Sequence, residues 1–171
     1  MPGSETPQTI SHQRDTATSW GIPAGGKVVV VGLGNVYMRD DGVGIYVMAE
    51  LRKLSLRKDV LICDYTEMEL SLVGYFKGAS KVIVVDALQS GKPAGTVSRF
   101  AIRMQERQVL QFSLHGLQFY EVFDVAIQSG ILTCPVIIVG IEPKDCSVGE
   151  GLSKELEEAL PNVVGEVMKE I

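Results

Sequence analysis

The sequence predicts an α/β protein: a three-layer αβα sandwich around a mostly parallel, twisted sheet of about five strands. Three observations lead there. Several runs are apolar without alternation, as strands covered on both faces must be. Between them lie segments whose apolar residues recur at helical spacing. The two patterns also alternate along the chain, which puts helices on both faces of one sheet.

The elements follow in order. Residues 1–26, "MPGSETPQTISHQRDTATSWGIPAGG", are rich in Pro, Gly, Ser and Thr and hold no apolar stretch that could serve as a signal segment. They are expected to form a flexible tail, with His12 solvated and Trp20 a loosely packed surface aromatic. Residues 27–171 are expected to form a single α/β domain. "KVVVVGL" (27–33) reads as a buried strand, and 42–54 as a helix with Gly44, Val47, Met48, Leu51 and Leu54 on one stripe. "DVLICDY" (59–65) is a second strand and "EMELSLVGYFKG" (67–78) a short helix. "KVIVVDA" (81–87) is a third strand, while "GTVSRFAIR" (95–103) alternates as an edge strand or hairpin partner should. Residues 116–129 place Phe119, Val122, Phe123 and Ala126 at helical spacing, and "CPVIIVGIE" (134–142) is the last buried strand. Leu152, Leu156, Leu160, Val163, Val164, Val167 and Ile171 then mark a terminal helix, which Pro161 is expected to kink or restart.

Composition narrows the function. With 171 residues, 46% of them hydrophobic, the chain can bury one substantial core. A net charge of -5 gives nucleic acid or an anionic membrane little to hold, and no apolar run approaches the length of a membrane span. Cys63, Cys134 and Cys146 are odd in number and scattered, so no disulfide framework is indicated and a cytoplasmic location is expected.

In sheets of this kind ligands bind beyond the carboxyl ends of the strands. Asp40 and Asp41 follow the first strand, Asp86 closes the third, Glu142 closes the last, and His115 sits in "SLHGL" just before a helix. A dinucleotide fingerprint would need a third glycine where Tyr37 stands, and Asp40 and Asp41 would repel a pyrophosphate at the helix N-terminus. One aspartate of the pair is explained by helix capping. Asp86 is harder to dismiss, because a carboxylate ending an apolar strand is costly to bury without a partner. His115 is as well explained by a structural as by a ligating role on residue type alone. Two carboxylates and one imidazole together suit a borderline or hard divalent metal, which also relieves the repulsion between the acids. A Cys–His protease built on His115 is disfavoured, since Cys63 and Cys134 lie in apolar strands where thiols are inert.

"GLGNVYMRDDGVG" (32–44), "VVDA" (84–87), "SLHGL" (113–117) and "VGIEP" (139–143) resemble the hydrogenase maturation endopeptidases, in order and spacing, over nearly the whole chain from Lys27 onward. The resemblance implies an enzyme that removes the C-terminal extension of the precursor of a nickel–iron hydrogenase large subunit after nickel insertion. It implies Asp41, Asp86 and His115 as the catalytic, metal-contacting residues, with Asp40 as a capping or supporting partner and Asn35 fixing the turn. Nickel would be supplied by the substrate; zinc or cadmium could occupy the same site. Where the family has a glycine-rich stretch after the second strand, this chain reads "DYTEMEL". The other readings weighed are a nucleotide-binding α/β module and a non-catalytic chaperone that only inspects the metal.

Overall fold

A computed structural model describes residues 26–65, 70–102 and 116–171. The expected tail up to Gly25, including His12 and Trp20, lies outside the described residues, as do the start of the 67–78 helix and His115. Among the described residues there are five strands: β1 (Lys27–Leu33), β2 (Val60–Tyr65), β3 (Ala79–Ala87), β4 (Val97–Ile102) and β5 (Val136–Ile141). The described helices are α1 (Val43–Leu51), α2 (Val73–Phe76), α3 (Gly116–Gln128) and α4 (Lys154–Glu170). Short 3-10 turns at Arg39–Gly42 and Leu70–Leu72 lead into α1 and α2.

The strand order is β2-β1-β3-β5-β4. Every pairing is parallel except that of β4 with β5, so the alternating segment is indeed an antiparallel edge strand. Parity along each strand separates two cores. Val29, Val31, Val82, Val84, Val136 and Ile138 face Leu72, Phe76, Val122, Phe123 and Ala126 on one side of the sheet. Val28, Val30, Ile83, Val85, Ile137 and Val139 face Val47, Met48, Leu51, Leu156, Val163 and Val167 on the other. The expected α/β architecture of two helical layers on one sheet is therefore the one observed.

Two local expectations change. The first helix ends at Leu51, and Leu54, expected on its buried stripe, is 45% exposed because the chain turns at Arg52–Leu54 before β2. Pro161 starts no new helix: α4 runs through it. Pro161 and Glu157, whose carbonyl loses its partner, both lie on the exposed side, where water can supply the missing bond.

Candidate functional site at the switch point of the sheet

β1 is followed by β2 on one side of it, whereas β3 returns to its other side. The connections lie on opposite faces, α1 against one core and α2 against the other. Open α/β sheets bind ligands in the crevice beyond the carboxyl ends of the strands at such a switch point, which here falls between β1 and β3. Asp41 enters this rim from the turn after β1, and Asp86 ends β3 opposite Gly140 of β5. The Arg39–Gly42 turn packs directly on β3, so both carboxylates stand at the same rim. Both are buried: Asp41 is 7% exposed and Asp86 2%.

The glycines explain how the turn reaches so far inward. Gly34 has φ +137, a conformation open to glycine, and a methyl there would collide with the carbonyl oxygen of Asp41. A methyl on Gly44 would meet the backbone carbonyls of Leu33 and Val85. The start of α1 is thus pressed onto the ends of two strands, with Asp41 held over β1. Asn35 seals the turn. Its side-chain oxygen accepts the Tyr37 N–H at 3.0 Å, and its own N–H donates to Asp41 Oδ2 at 2.9 Å. The space beside Gly34 is filled by the protein's own backbone, so the loop offers no phosphate cradle there.

Asp40 does something different from what residue type suggests. It caps neither its own turn nor α1, both of which lack a side-chain cap. It is fully buried, and its Oδ2 accepts the N–H groups of Lys144 at 2.8 Å and Asp145 at 2.9 Å and the Ser153 hydroxyl at 2.8 Å. Its Oδ1 accepts the Ser153 N–H at 2.6 Å. Ser153 is the N-cap of α4, so Asp40 serves the N-terminus of a helix more than a hundred residues away. The same two loops meet again where Met38 bridges Gly149. Arg39, the one described non-glycine residue with positive φ, reaches over Gly149 toward Asp145, 3.4 Å away.

Glu142 fixes the neighbouring part of the rim. Its carboxylate accepts the Ser90 hydroxyl at 2.6 Å and the Ser90 and Gly91 N–H groups at about 2.9 Å. Burial pushes its pKa up, but the Ser90 hydroxyl and the N–H groups of residues 90–92 outweigh that and hold it below the ordinary value. This acid holds the loop after β3 and is not turned to the crevice. Cys146 is the one cysteine of the three that the sequence does not place in an apolar strand. Burial, then the charges of Asp41, Asp40 and Asp145, push its thiol up to about 11, so it is a neutral thiol beside the rim and a poor nucleophile. Burial also raises Cys63 and Cys134. None of the three therefore suits thiolate catalysis.

Among the described residues no three His, Cys, Asp or Glu side chains form a metal-sized group. Asp41 and Asp86 contribute two oxygen-donor carboxylates, a set that fits a divalent cation. The third expected member, His115, lies outside the described residues and directly precedes Gly116, which opens α3.

Comparison with known proteins meets this geometry. Residues 45–170 match the family model described as hydrogenase maturation protease. The chain is 27% identical over 146 residues to the hydrogenase expression/formation protein HoxM of Cupriavidus necator, covering 80% of this chain and 70% of that protein. It is 29% identical over 126 residues to HupD of Bradyrhizobium diazoefficiens, covering 70% of this chain and 64% of HupD, just under two thirds of that relative's length. Among solved structures it resembles the hydrogenase maturating endopeptidase HybD from E. coli, with a TM-score of 0.76, 21% identity and coverage of 84% and 90% of the two chains. It also resembles the maturation protease HycI from Thermococcus kodakarensis, with a TM-score of 0.69, 24% identity and coverage of 86% and 94%. At these identities the structural likenesses establish the shared fold.

Proposed function

The chain belongs to the hydrogenase maturation protease family, and from that premise we propose that it is a cytoplasmic endopeptidase. Its substrate would be the precursor of a nickel–iron hydrogenase large subunit, from which it removes the C-terminal extension after nickel has been inserted. The observation that carries the reading is the arrival of Asp41 and Asp86, buried carboxylates from separate elements, at the switch point of the sheet. Two anions brought to one rim repel each other, and a divalent cation is attracted by both.

The nickel is cargo carried by the substrate. Once seated it would orient the extension and polarise the scissile carbonyl. Asp41 and Asp86 hold the metal-bearing end of the substrate, with His115 as the third contact. Asn35 keeps Asp41 aimed through the bond to its N–H. The packed ends of β1 and β3 keep bulk water away from one side of the carboxylates, which strengthens their hold on a cation. A site with two carboxylates and one imidazole holds a lone ion weakly, so recognition depends on the metal without tight uptake by the free enzyme. Zinc or cadmium would compete for the same donors.

The test is a cleavage assay with enzyme stripped by chelator and matched precursors that carry or lack nickel. Nickel-loaded precursor should be cut and nickel-free precursor left intact. Equal cleavage of both would sink the substrate-borne metal, and cleavage restored only by preloading the enzyme with zinc would point to a conventional metalloprotease. Binding without cleavage would make the protein a metal-inspecting chaperone. His115→Ala should abolish processing with little change in unfolding free energy; full activity in that variant would remove the imidazole from the site.

A further inference from the structure

The outward face of α1 departs from the usual pattern of a surface helix, whose exposed side is polar. Val43, Val47, Met48 and Leu51 are buried against the sheet, yet the opposite face presents Ile45, Tyr46 and Ala49. With Val36, Tyr37 and Glu150 these residues line an open groove of about 350 Å³. Apolar surface continues past the groove. Tyr37 is 64% exposed and Val148 81%, and the Met38–Gly149 bridge sets their two segments side by side.

We propose that this groove is a side-chain subsite for the polypeptide of the precursor, taking one aliphatic or aromatic residue close to the scissile bond. The inference rests on the protease reading above. Three observations select this occupant. The volume is at the low end of the roughly 300–1,000 Å³ of small-molecule sites, enough for a large side chain rather than a cofactor. Among the described residues no basic side chain lines the wall, which disfavours a phosphorylated ligand. The groove also adjoins the candidate site along the chain: Val36 follows Asn35, whose N–H holds Asp41, and Ile45 is four residues beyond Asp41, on the helix into which the Asp41 turn leads. With 3-10 rise up to Gly42 and α-helical rise beyond it, those four residues span roughly 6–7 Å, the reach of about two residues of extended chain. A peptide laid across the rim with its scissile carbonyl near Asp41 would deliver a side chain two positions away into the groove. Glu150 at the mouth has no ion-pair partner among the described residues, so an acidic neighbour in the peptide would be rejected and a basic one favoured.

The experiment pairs binding with kinetics. The probe is a synthetic peptide covering the precursor's C-terminal extension and the residues just before it. In amide NMR spectra it should shift Tyr46 and Ala49 of the wild-type protein, and Ala49→Trp, which fills the groove, should erase those shifts. With nickel-loaded precursor, Ala49→Trp should raise KM about ten- to a hundredfold, the worth of one buried apolar side chain, and leave kcat essentially unchanged. Ala49→Leu, a strong helix former, fills the groove in part and should give a smaller rise of the same kind. Glu150→Lys should weaken a peptide with a basic neighbour and strengthen one with an acidic neighbour. Shifts confined to other surfaces, or an unaltered KM in both folded Ala49 variants, would overturn the proposal. Wild-type protein that cleaves no precursor would sink the protease reading instead, and the peptide shifts would still decide whether the groove binds this chain.

Discussion

Asp40 and Asp41 are adjacent and chemically identical, yet their surroundings assign them opposite duties. Asp40 answers four donors from two distant segments, whereas Asp41 is held by the Asn35 N–H at the crevice. Asp40→Asn puts an amide where donors already point, so at least one buried N–H or O–H is left facing another donor. That substitution should cost about 3 kcal/mol of unfolding free energy, more than a simple helix cap provides. Asp41→Asn should cost less than about 1.5 kcal/mol and stop processing. Urea unfolding and precursor cleavage on both variants separate the roles; a stable, inactive Asp40→Asn would reverse them. Glu142 contributes a pH dependence. Its folded carboxyl takes up a proton less readily than the unfolded one, so its stabilisation is complete above the unfolded value of about 4.3 and is lost as pH falls through the folded value. Glu142→Gln should therefore flatten the acid limb of the stability profile and leave its shape near neutrality unchanged, as thermal melts across the acid range would show.

At the scale of elements, the site depends on how closely α1 approaches the strand ends. Gly44→Ala would drive a methyl into the carbonyls of Leu33 and Val85 and should destabilise by about 3 kcal/mol as α1 is forced off the sheet. Gly165→Ala is the counterpart. It lies inside α4 with open space beside it and should stabilise by about 0.5–1 kcal/mol. Denaturant midpoints of the two variants should move in opposite directions; a harmless Gly44→Ala would mean that the close approach is not required. Elements were largely legible from pattern, because β1, β3 and β5 are buried on both faces and leave no alternation to misread. The end of α1 was not, since Leu54 fits the stripe by spacing while the turn at Arg52 takes it out of the helix.

Across the whole molecule, the sheet has a rim that carries the candidate site, and charge ties its strands to the last helix. Glu170 near the C-terminus pairs with Lys81 and Arg99, joining α4 to β3 and β4. No described helix is long and apolar enough to cross a membrane. Of residues 1–26, expected from composition to be a tail, Gly26 is tied to β3 by the Ser80 hydroxyl, and residues 1–25 should be dispensable: a protein beginning at Gly26 should melt at the same temperature and cleave nickel-loaded precursor at the same rate. A lower melting point or lost cleavage would give that segment a structural or substrate-binding role.

The order of strands and helices, the two-sided burial of the sheet, and Asp86 and the Asp40–Asp41 pair as candidates could all be read from the linear pattern, because burial on both faces and chemistry at strand ends leave local signatures; within the pair, only the family resemblance pointed to Asp41. The strand order and the partners of Asp40 could not. Placing β3 beside β1 creates the switch point that brings Asp41 and Asp86 to one rim, and that adjacency joins strands whose paired residues, such as Val28 and Lys81, are far apart in the chain. Asp40 looked like a cap for the helix that follows it, but its donors lie over a hundred residues downstream. Residue type showed that a carboxylate there needs donors; only the folded chain supplied them, because hydrogen-bond partners are chosen by proximity in space.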